Sequence, residues 1–298
     1  MSTKIAKGNL VSYPESQIIK QMKCALKKGV KEFWITGQDI SSYGGGKNLP
    51  KLLKNVLNEV NGDYFIRLGM MNPDHMKNFY SEMHNIYNDF RVFKFLHLPI
   101  QSGSPEILKK MRRGQDIDSF LEIVKNFSRL TLWTDIIAGF PDETEEDFKQ
   151  TTELLKKIKP DFVNVSAFAS RPNTEARKMK PLPSDLVKER TKILSLLVEK
   201  LSLEKNKKWI GWSGQVLVDE FKPGKNCFIG RNLFYKPVVI KENVVPGQEY
   251  YFKITDASAT ALFGKVVEKI MTAKIFQISE PENGFVINPK FTETKFRG

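Results

Sequence analysis

The spacing of apolar residues predicts that the chain begins with an amphipathic helix followed by a buried strand. Within residues 16–28, apolar side chains recur at helical spacing: Ile18, Ile19, Met22, Ala25 and Leu26. Gly29 follows as a helix stop, and residues 30–39, VKEFWITGQD, form a short apolar run that ends at a glycine. A helix that leads into a buried strand is the repeating unit of α/β proteins.

This alternation continues through the first two thirds of the chain. Further strands are predicted in YFIRLGMMNP, VFKFLHLPIQ, LWTDIIAGF and DFVNVSAFAS. Helices are predicted near residues 48–60, 74–88, 104–112, 117–130, 143–158 and 184–207. Five alternating units favour parallel strands with crossover helices. The alternation ends near residue 206, short of the roughly 250 residues of a full eight-unit barrel, so the pattern predicts a partial barrel.

The pattern changes after Trp209. Five short strand-like segments follow, separated by Gly, Pro and Asn: GQVLVDEF, CFIGRN, KPVVI, EYYFKITDAS and ALFGKVV. They predict a small all-β barrel of five strands. We therefore expect three parts, a partial barrel at 1–206, a β-barrel domain at 207–270 and a C-terminal extension at 271–298.

Charge and composition narrow the class of protein. The chain has 47 Lys and Arg against 34 Asp and Glu, a net charge of +13, which favours a polyanionic partner such as nucleic acid. No apolar run approaches the roughly 20 residues of a membrane span, and the first residues lack the apolar core of a secretory signal. The chain is predicted to be cytoplasmic with no membrane partner. Its two cysteines, Cys24 and Cys227, do not indicate a disulfide framework.

The candidate chemistry lies where the predicted parallel strands end. Ligands of such sheets meet the carboxyl ends of the strands. Polar and glycine residues cluster there, including Gln38, Asp39, Asn72, His97, Gln101, Ser102, Asp135, Ser170 and Arg171, together with Phe168. They predict a site for a polar small molecule. The alternative is ordinary turn chemistry, because Gly, Asn, Asp and Ser populate turns in any protein.

A second candidate surface lies in the β-barrel domain. Lys222, Lys225, Arg231 and Lys236 alternate there with Phe221, Phe228, Phe234 and Tyr235. Cations that pair with phosphates, beside aromatic rings on which bases stack, are what single-stranded or loop RNA requires. The alternative is a solvated basic surface.

Five motifs in sequence order resemble the radical S-adenosylmethionine (SAM) methylthiotransferases: TGQDISSYG, MMNP, HLPIQSGSPEILKKMRRG, TDIIAGFPDETEEDF and FASRPNTEA. The chain is most similar to the archaeal and eukaryotic type that modifies threonylcarbamoyladenosine in tRNA. The segments GRNLFYKPVVI and PGQEYYFKITDAS resemble the TRAM domain that closes these proteins. The resemblance covers about residues 1–270.

The resemblance implies a transferase that methylthiolates C2 of a modified adenosine next to the tRNA anticodon. Its cofactors would be SAM and, in the complete family, two 4Fe–4S iron–sulfur clusters. Gln38 and Asp39 would meet the methionine end of SAM, with Arg113 as a carboxylate partner. The same cleft would be lined by Gln101, Ser102, Asp135 and Phe168. Arg171 and the basic residues of the β-barrel domain would face tRNA.

The cysteines depart from the family pattern. Aligning STKIAKG with the family puts Met1 at the third cysteine of the cluster motif. We therefore expect an N-terminally truncated chain that holds no cluster, has no catalytic residues of its own to assign and is inactive alone. The first barrel strand would be missing, so the edge at EFWITG would pair in a homodimer or be covered by the C-terminal tail. The open alternatives are a ribosomal-protein methylthiotransferase, an RNA-binding module without chemistry and an unrelated partial-barrel enzyme.

Overall fold

The computed structural model describes residues 10–114, 116–172 and 174–269, and the chain divides into two compact units between Ser202 and Leu203. The predicted extension at 271–298 and the STKIAKG segment lie outside the described residues. The predicted domain boundary at 206/207 stays a prediction. None of the described helices combines the length and the apolar character needed to cross a bilayer.

The first unit contains five parallel strands: β1 Glu32–Ile35, β2 Phe65–Leu68, β3 Phe95–His97, β4 Thr131–Ala138 and β5 Phe162–Ala167. β1 pairs with β2, and β3, β4 and β5 pair in that order. Backbone hydrogen bonds connect the two groups, because Phe93 N donates to Ile66 O over 3.0 Å and Met71 N donates to His97 O over 3.0 Å. The predicted α/β fold with parallel strands is confirmed.

Eight helices join these strands within the described residues. They are α1 Glu15–Lys27, α2 Leu49–Glu59, α3 Pro73–Met76, α4 Tyr80–Asn88, α5 Pro105–Lys110, α6 Ile117–Asn126, α7 Glu145–Ile158 and α8 Ser184–Lys207. Short turns of 3-10 helix occupy Ile40–Ser42, Glu175–Arg177 and Pro223–Lys225, and a glycine-rich turn occupies Tyr43–Gly46.

The helix predicted near 74–88 is wrong in one respect, because it is two helices. Phe79 interrupts it with φ −147° and ψ 25°, and its ring is buried in the core. The helix predicted near 117–130 ends at Asn126, where Phe127 leaves helical geometry and is likewise buried. In both places the burial of a phenylalanine overrides local helical periodicity.

The two faces of the parallel sheet differ in composition. Ile66, Leu96, Leu132 and Ile136 point to one face and are buried against the helices. The other face carries Trp34, Arg67, His97, Trp133 and Asp135, which alternate with those residues along the strands. Because strand side chains alternate in direction, the register gives one apolar face and one aromatic and polar face.

The second unit is a closed five-stranded barrel, as predicted. Its strands are β6 Ser213–Lys222, β7 Cys227–Asn232, β8 Pro237–Ile240, β9 Glu249–Ala257 and β10 Leu262–Lys269, paired in the order β10-β8-β7-β6-β9 with β9 closing on β10. Its core is built from inward-pointing β-branched and aromatic side chains, among them Val216, Val238, Ile240, Phe252 and Ile254. Closure leaves no unpaired edge in the barrel.

Candidate functional site

Asp39 joins the ends of the first two strands. It follows β1 and caps the 3-10 turn, where its Oδ1 accepts from Ser41 N at 3.0 Å. The same oxygen accepts from Asn72 N at 3.1 Å, at the exit of β2. Its other oxygen, Oδ2, lies 3.1 Å from His75 Nδ1. Asp39 therefore links the loops that follow β1 and β2, while its neighbour Gln38 is exposed. The loops at the carboxyl ends of the parallel strands are called the rim below.

His97 and Asp135 form a pair at the ends of β3 and β4. His97 Nε2 lies 3.2 Å from Asp135 Oδ2, and the two side chains are 18% and 21% exposed. Both lie on the aromatic and polar face, since His97 is in register with Trp133, two residues before Asp135. The pair can present one imidazole and one carboxylate to a ligand above the strand ends.

Arg113 lies close to the acidic residues of the rim. It follows α5, and its backbone N donates to Leu108 O over 2.9 Å. Desolvation by the surrounding protein lowers the pKa of its guanidinium, and the nearby charges of Asp135, Asp74 and Asp39 oppose that shift. Arginine stays charged under all relevant conditions. Among the described residues, no carboxylate lies within the 4 Å of an ion pair with Arg113, so the group can receive an anionic ligand.

Gln101 and Ser102 build the loop that follows β3. Gln101 has φ +75° and is 8% exposed, and its backbone extends the sheet, because Gln101 N donates to Asp135 O over 2.8 Å. Ser102 is fully buried. Its hydroxyl accepts from Ser104 N at 3.1 Å and lies 3.3 Å from Thr151 Oγ1 of α7. Ser102 therefore supports the loop from the helix side.

Close packing of this loop against α7 requires Gly103. Its N–H donates to Thr151 Oγ1 over 3.0 Å, and a Cβ at this position would lie 2.6 Å from Gln150 O and from Thr151 Cα. No side chain fits in that space. Gly103 therefore determines how closely the loop that carries Gln101 packs against α7.

An aromatic row crosses the sheet beneath the rim. The ring of Trp133 lies 6.1 Å from Phe95, 5.5 Å from His97 and 5.4 Å from Phe162. The indole Nε1 of Trp133 is buried and has no hydrogen-bond partner among the described residues. Phe168, after β5, is half-buried and its ring meets that of Phe140 at 5.0 Å.

Two members of this region were missed by sequence reasoning. Trp133 shares the face of Asp135 because strand side chains alternate, so its position two residues earlier could have identified it. His75 lies within the helix predicted near residues 74–88, and the structure shows that it contacts Asp39. A signal was present in MMNP, because Asn72 caps α3 by accepting from Asp74 N at 3.1 Å and places His75 in its first turn.

The structure separates the predicted RNA-binding residues into different environments. Arg171, Lys222 and Lys225 are exposed, and Lys222 Nζ pairs with Glu220 at 2.7 Å. Arg231 Nε donates to Asp219 over 3.0 Å, and its guanidinium lies 4.8 Å from the Tyr235 ring centroid.

The prediction that Lys236 binds RNA is wrong, unlike the predictions for the other four residues, which stay predictions. Lys236 is 1% exposed, and its ammonium donates to Asn206 Oδ1 over 2.9 Å. A buried lysine whose ammonium donates to a neighbouring side chain cannot reach a phosphate. It is a structural residue of the barrel.

Comparison with known proteins defines the family. The sequence model of the Radical SAM superfamily matches residues 2–155. The chain belongs to this superfamily. A probable threonylcarbamoyladenosine tRNA methylthiotransferase of Pyrococcus horikoshii is 42% identical over 273 residues, which are 89% of this chain and 63% of that protein. One from Methanocaldococcus jannaschii is 41% identical over 271 residues, 89% of this chain and 61% of that protein.

The similarity extends to eukaryotes. The human threonylcarbamoyladenosine tRNA methylthiotransferase is 37% identical over 247 residues, 81% of this chain and 42% of that protein. The chain thus spans about three fifths or less of the length of these relatives. Among solved structures, coproporphyrinogen III oxidase of Escherichia coli, a radical SAM enzyme, matches 86% of this chain with a TM-score of 0.46 and 16% identity.

Membership of the radical SAM superfamily implies SAM and an iron–sulfur cluster as cofactors, and the two fit this chain differently. SAM carries a carboxylate, an ammonium and a nucleoside, which suit a rim that offers Arg113, several carboxylates and the orphan indole N–H of Trp133. A 4Fe–4S cluster takes thiolate ligands. The sequence has two cysteines, with Cys24 exposed on α1 and Cys227 buried in β7. The described residues contain no group of three or more metal-ligating side chains. Cys24 and Cys227, together with the other described residues, do not supply the set of thiolates that a cluster takes.

Proposed function

We propose that this chain contributes the SAM-binding rim and RNA-binding surfaces of a threonylcarbamoyladenosine tRNA methylthiotransferase. The observation that carries the proposal is the 37–42% identity with proteins of that name from archaea and human, over 81–89% of the chain. The tRNA named in those relatives favours an RNA substrate over a ribosomal protein. The net charge of +13 supports the same choice.

The rim residues divide into two proposed groups. Arg113, Gln38, Asp135 and Phe168 contact SAM, with the Arg113 guanidinium on its carboxylate. Asp39 and Ser102 are positioning residues, because their side-chain oxygens already accept backbone hydrogen bonds within the rim, and Gln101 is placed by its backbone hydrogen bond to Asp135. Bound SAM supplies radical hydrogen-atom abstraction in this superfamily. The residues of this chain bind and orient it, and no electron-transfer step is assigned to them.

A binding experiment tests the rim. The affinity for SAM is measured by calorimetry with wild type, Arg113→Met and the matched control Arg112→Met, since the two adjacent arginines are both exposed. Loss of a charge-assisted contact costs about 1.5–3 kcal/mol, so Arg113→Met should weaken binding roughly 10-fold to 100-fold while Arg112→Met leaves it unchanged. Equal affinities for wild type and Arg113→Met would remove Arg113 from the site.

A second experiment tests the RNA partner. The affinity for an unmodified tRNA transcript is followed by fluorescence anisotropy as salt rises. Phosphate contacts release counterions, so log K should fall linearly with log salt. A flat response, or no binding at low salt, would refute the RNA assignment. A chain that binds RNA without any product would match the alternative of a binding module.

The predicted homodimer through β1 also stays a proposal. Within the described residues β1 pairs on one side, with β2, and Trp34 is 63% exposed. An unpaired strand edge with an exposed aromatic side chain favours strand addition. Sedimentation equilibrium of wild type and Trp34→Lys should show a dimer that the substitution weakens. A monomer at all concentrations would exclude the pairing.

A further inference from the structure

A large groove lies on the helical side of the first unit, outside the rim. It has a volume of about 1080 Å³ and runs between α2 and α4. One wall carries Lys47, Lys51 and Lys54, and the opposite wall carries Asn78 and Asn85. Polar side chains line both walls, together with the apolar side chains of Pro50, Leu57, Phe79 and Ile86.

Two of the three lysines share one side of α2 because of the sequence of that helix. The helix buries Leu49, Leu52, Leu53, Val56 and Leu57 in the core. Lys51 and Lys54 are three residues apart on α2 and lie on its exposed side, and the exposed Lys47, which precedes the helix, lines the same groove. Among the described residues, no carboxylate lies within ion-pair distance of any of the three. Lys23 of α1, by contrast, has Glu59 at 3.5 Å.

The acidic residues of the groove do not neutralise the positive charge of these three lysines. Asp89 accepts from Arg91 Nε at 3.0 Å and from Arg91 Nη2 at 2.8 Å, so its charge is already paired. Glu82 remains, and it accepts a hydrogen bond from the hydroxyl of Ser81 at 2.8 Å. Three lysines thus face one unpaired carboxylate, and the amides of Asn78 and Asn85 add hydrogen-bond donors.

One end of the groove opens at the rim. Gly45, Gly46 and His75 line that end. His75 is also the residue whose Nδ1 lies 3.1 Å from Asp39 Oδ2. Gly45 and Gly46 have φ +79° and +85°, left-handed geometry that glycine adopts without strain, and this allows the tight turn between the rim and the groove. His75 therefore lies between the groove and the rim, lining the first and contacting Asp39 of the second.

We propose that this groove holds the phosphate backbone of the RNA strand that flanks the target nucleoside. The inference rests on the proposed function, because a nucleoside that reaches the rim must have its strand continue away from it. A row of unpaired lysines with amide donors suits that strand, since phosphate contacts supply most RNA affinity without reading sequence.

The test uses an RNA stem-loop that contains the target adenosine, bound to the whole chain. Lys51→Gln/Lys54→Gln removes two charges from the groove. The matched control, Lys156→Gln/Lys157→Gln, removes two exposed charges from α7. Losing two phosphate contacts should lower the slope of log K against log salt by about 1.4 and weaken binding about 10-fold at low salt. The control should change neither quantity, and SAM affinity should be the same in all three proteins.

The outcomes separate this inference from the proposed function. If wild type binds the stem-loop and the groove variant binds as tightly as the control, the groove is not an RNA site while the proposed function stands. If wild type binds no RNA, the proposed function fails and this inference falls with it. Loss of SAM binding in the groove variant would show that the substitutions act through the fold, which also contradicts a phosphate-contact role.

Discussion

The two ends of the parallel sheet both carry charged clusters. At the amino end, called the closed end, the charged groups are all bonded to other groups of the chain, and the carboxyl end is called the open end. At the amino ends of β2 and β3, Arg91 bonds to Asp89 and to the carbonyls of Leu57 and Val60 at 2.9 and 3.2 Å. Nearby, the ammonium of Lys94 donates to the carbonyls of Tyr87 and, over 2.8 Å, Asp89. Every charge there has partners from the chain itself.

The carboxyl ends differ, because two polar groups there can still accept an ion-pair or hydrogen-bond partner. Arg113 has three carboxylates near it and none in ion-pair contact among the described residues. The buried indole N–H of Trp133 has no partner there. Buried polar groups in folded proteins are nearly always satisfied, so an unsatisfied one needs an explanation. The two ends therefore differ in the saturation of their hydrogen bonds, which is the property on which the proposed site depends.

The largest expected effect contrasts one arginine from each end. Arg91→Met should lower the free energy of unfolding by about 3 kcal/mol, because it leaves Asp89 and two carbonyls without their donor. Arg113→Met should change it by less than about 0.5 kcal/mol. Urea unfolding of both variants measures the difference. Similar losses for the two would show that the open end is as structural as the closed one.

A pH experiment on the closed end has a somewhat smaller expected effect. Burial lowers the pKa of Lys94 from its usual 10.5 to about 8, with Asp89 opposing the shift. Between these values the unfolded chain binds more protons than the folded protein, so stability should rise with pH. The contribution of Lys94 between pH 7 and 9.5 is about 2 kcal/mol.

The matched variant isolates that contribution from other titrations. Lys94→Met lacks the ammonium, so its stability should rise less over the same interval, by the same 2 kcal/mol. The difference between the two proteins is read from urea unfolding at each pH. Parallel curves for wild type and Lys94→Met would contradict the lowered pKa.

The smallest expected effect concerns the orphan donor at the open end. Trp133→Phe keeps an aromatic ring and removes the buried N–H, so the ligand-free protein should gain up to about 1 kcal/mol of stability. SAM affinity should fall a few-fold if the N–H meets the ligand. Thermal unfolding with and without SAM measures both quantities. A destabilised ligand-free variant would mean that packing of the indole outweighs its unsatisfied donor.

The order and type of the elements could be read from the sequence, since they depend on local periodicity. The parallel strands of the first unit and the closed barrel of the second follow from apolar runs and turn residues that lie within ten positions of one another. The exceptions are Phe79 and Phe127, where a ring that enters the core breaks a helix that the local pattern would continue. Core packing is a property of residues distant in sequence and could not be read from that pattern.

The site could be predicted in part, for the same reason. Strand ends located Gln38, Asp39, Gln101 and Asp135 at one rim, because parallel strands place their carboxyl ends together. Whether a side chain there is engaged depended on partners about 30 to 50 residues away: Asp39 meets Asn72 and His75, and Ser102 meets Thr151.

The amino-acid sequence by itself determined the succession of strands and helices, the net charge and the motifs that indicate the superfamily. Only the tertiary structure decided which charged residues are available. Lys236 looks like an RNA contact in sequence and is buried beside Asn206, while Lys51 and Lys54 look like an ordinary solvated face and line a groove. The physical reason is that desolvation and hydrogen-bond saturation depend on three-dimensional neighbours, which lie far apart along the chain.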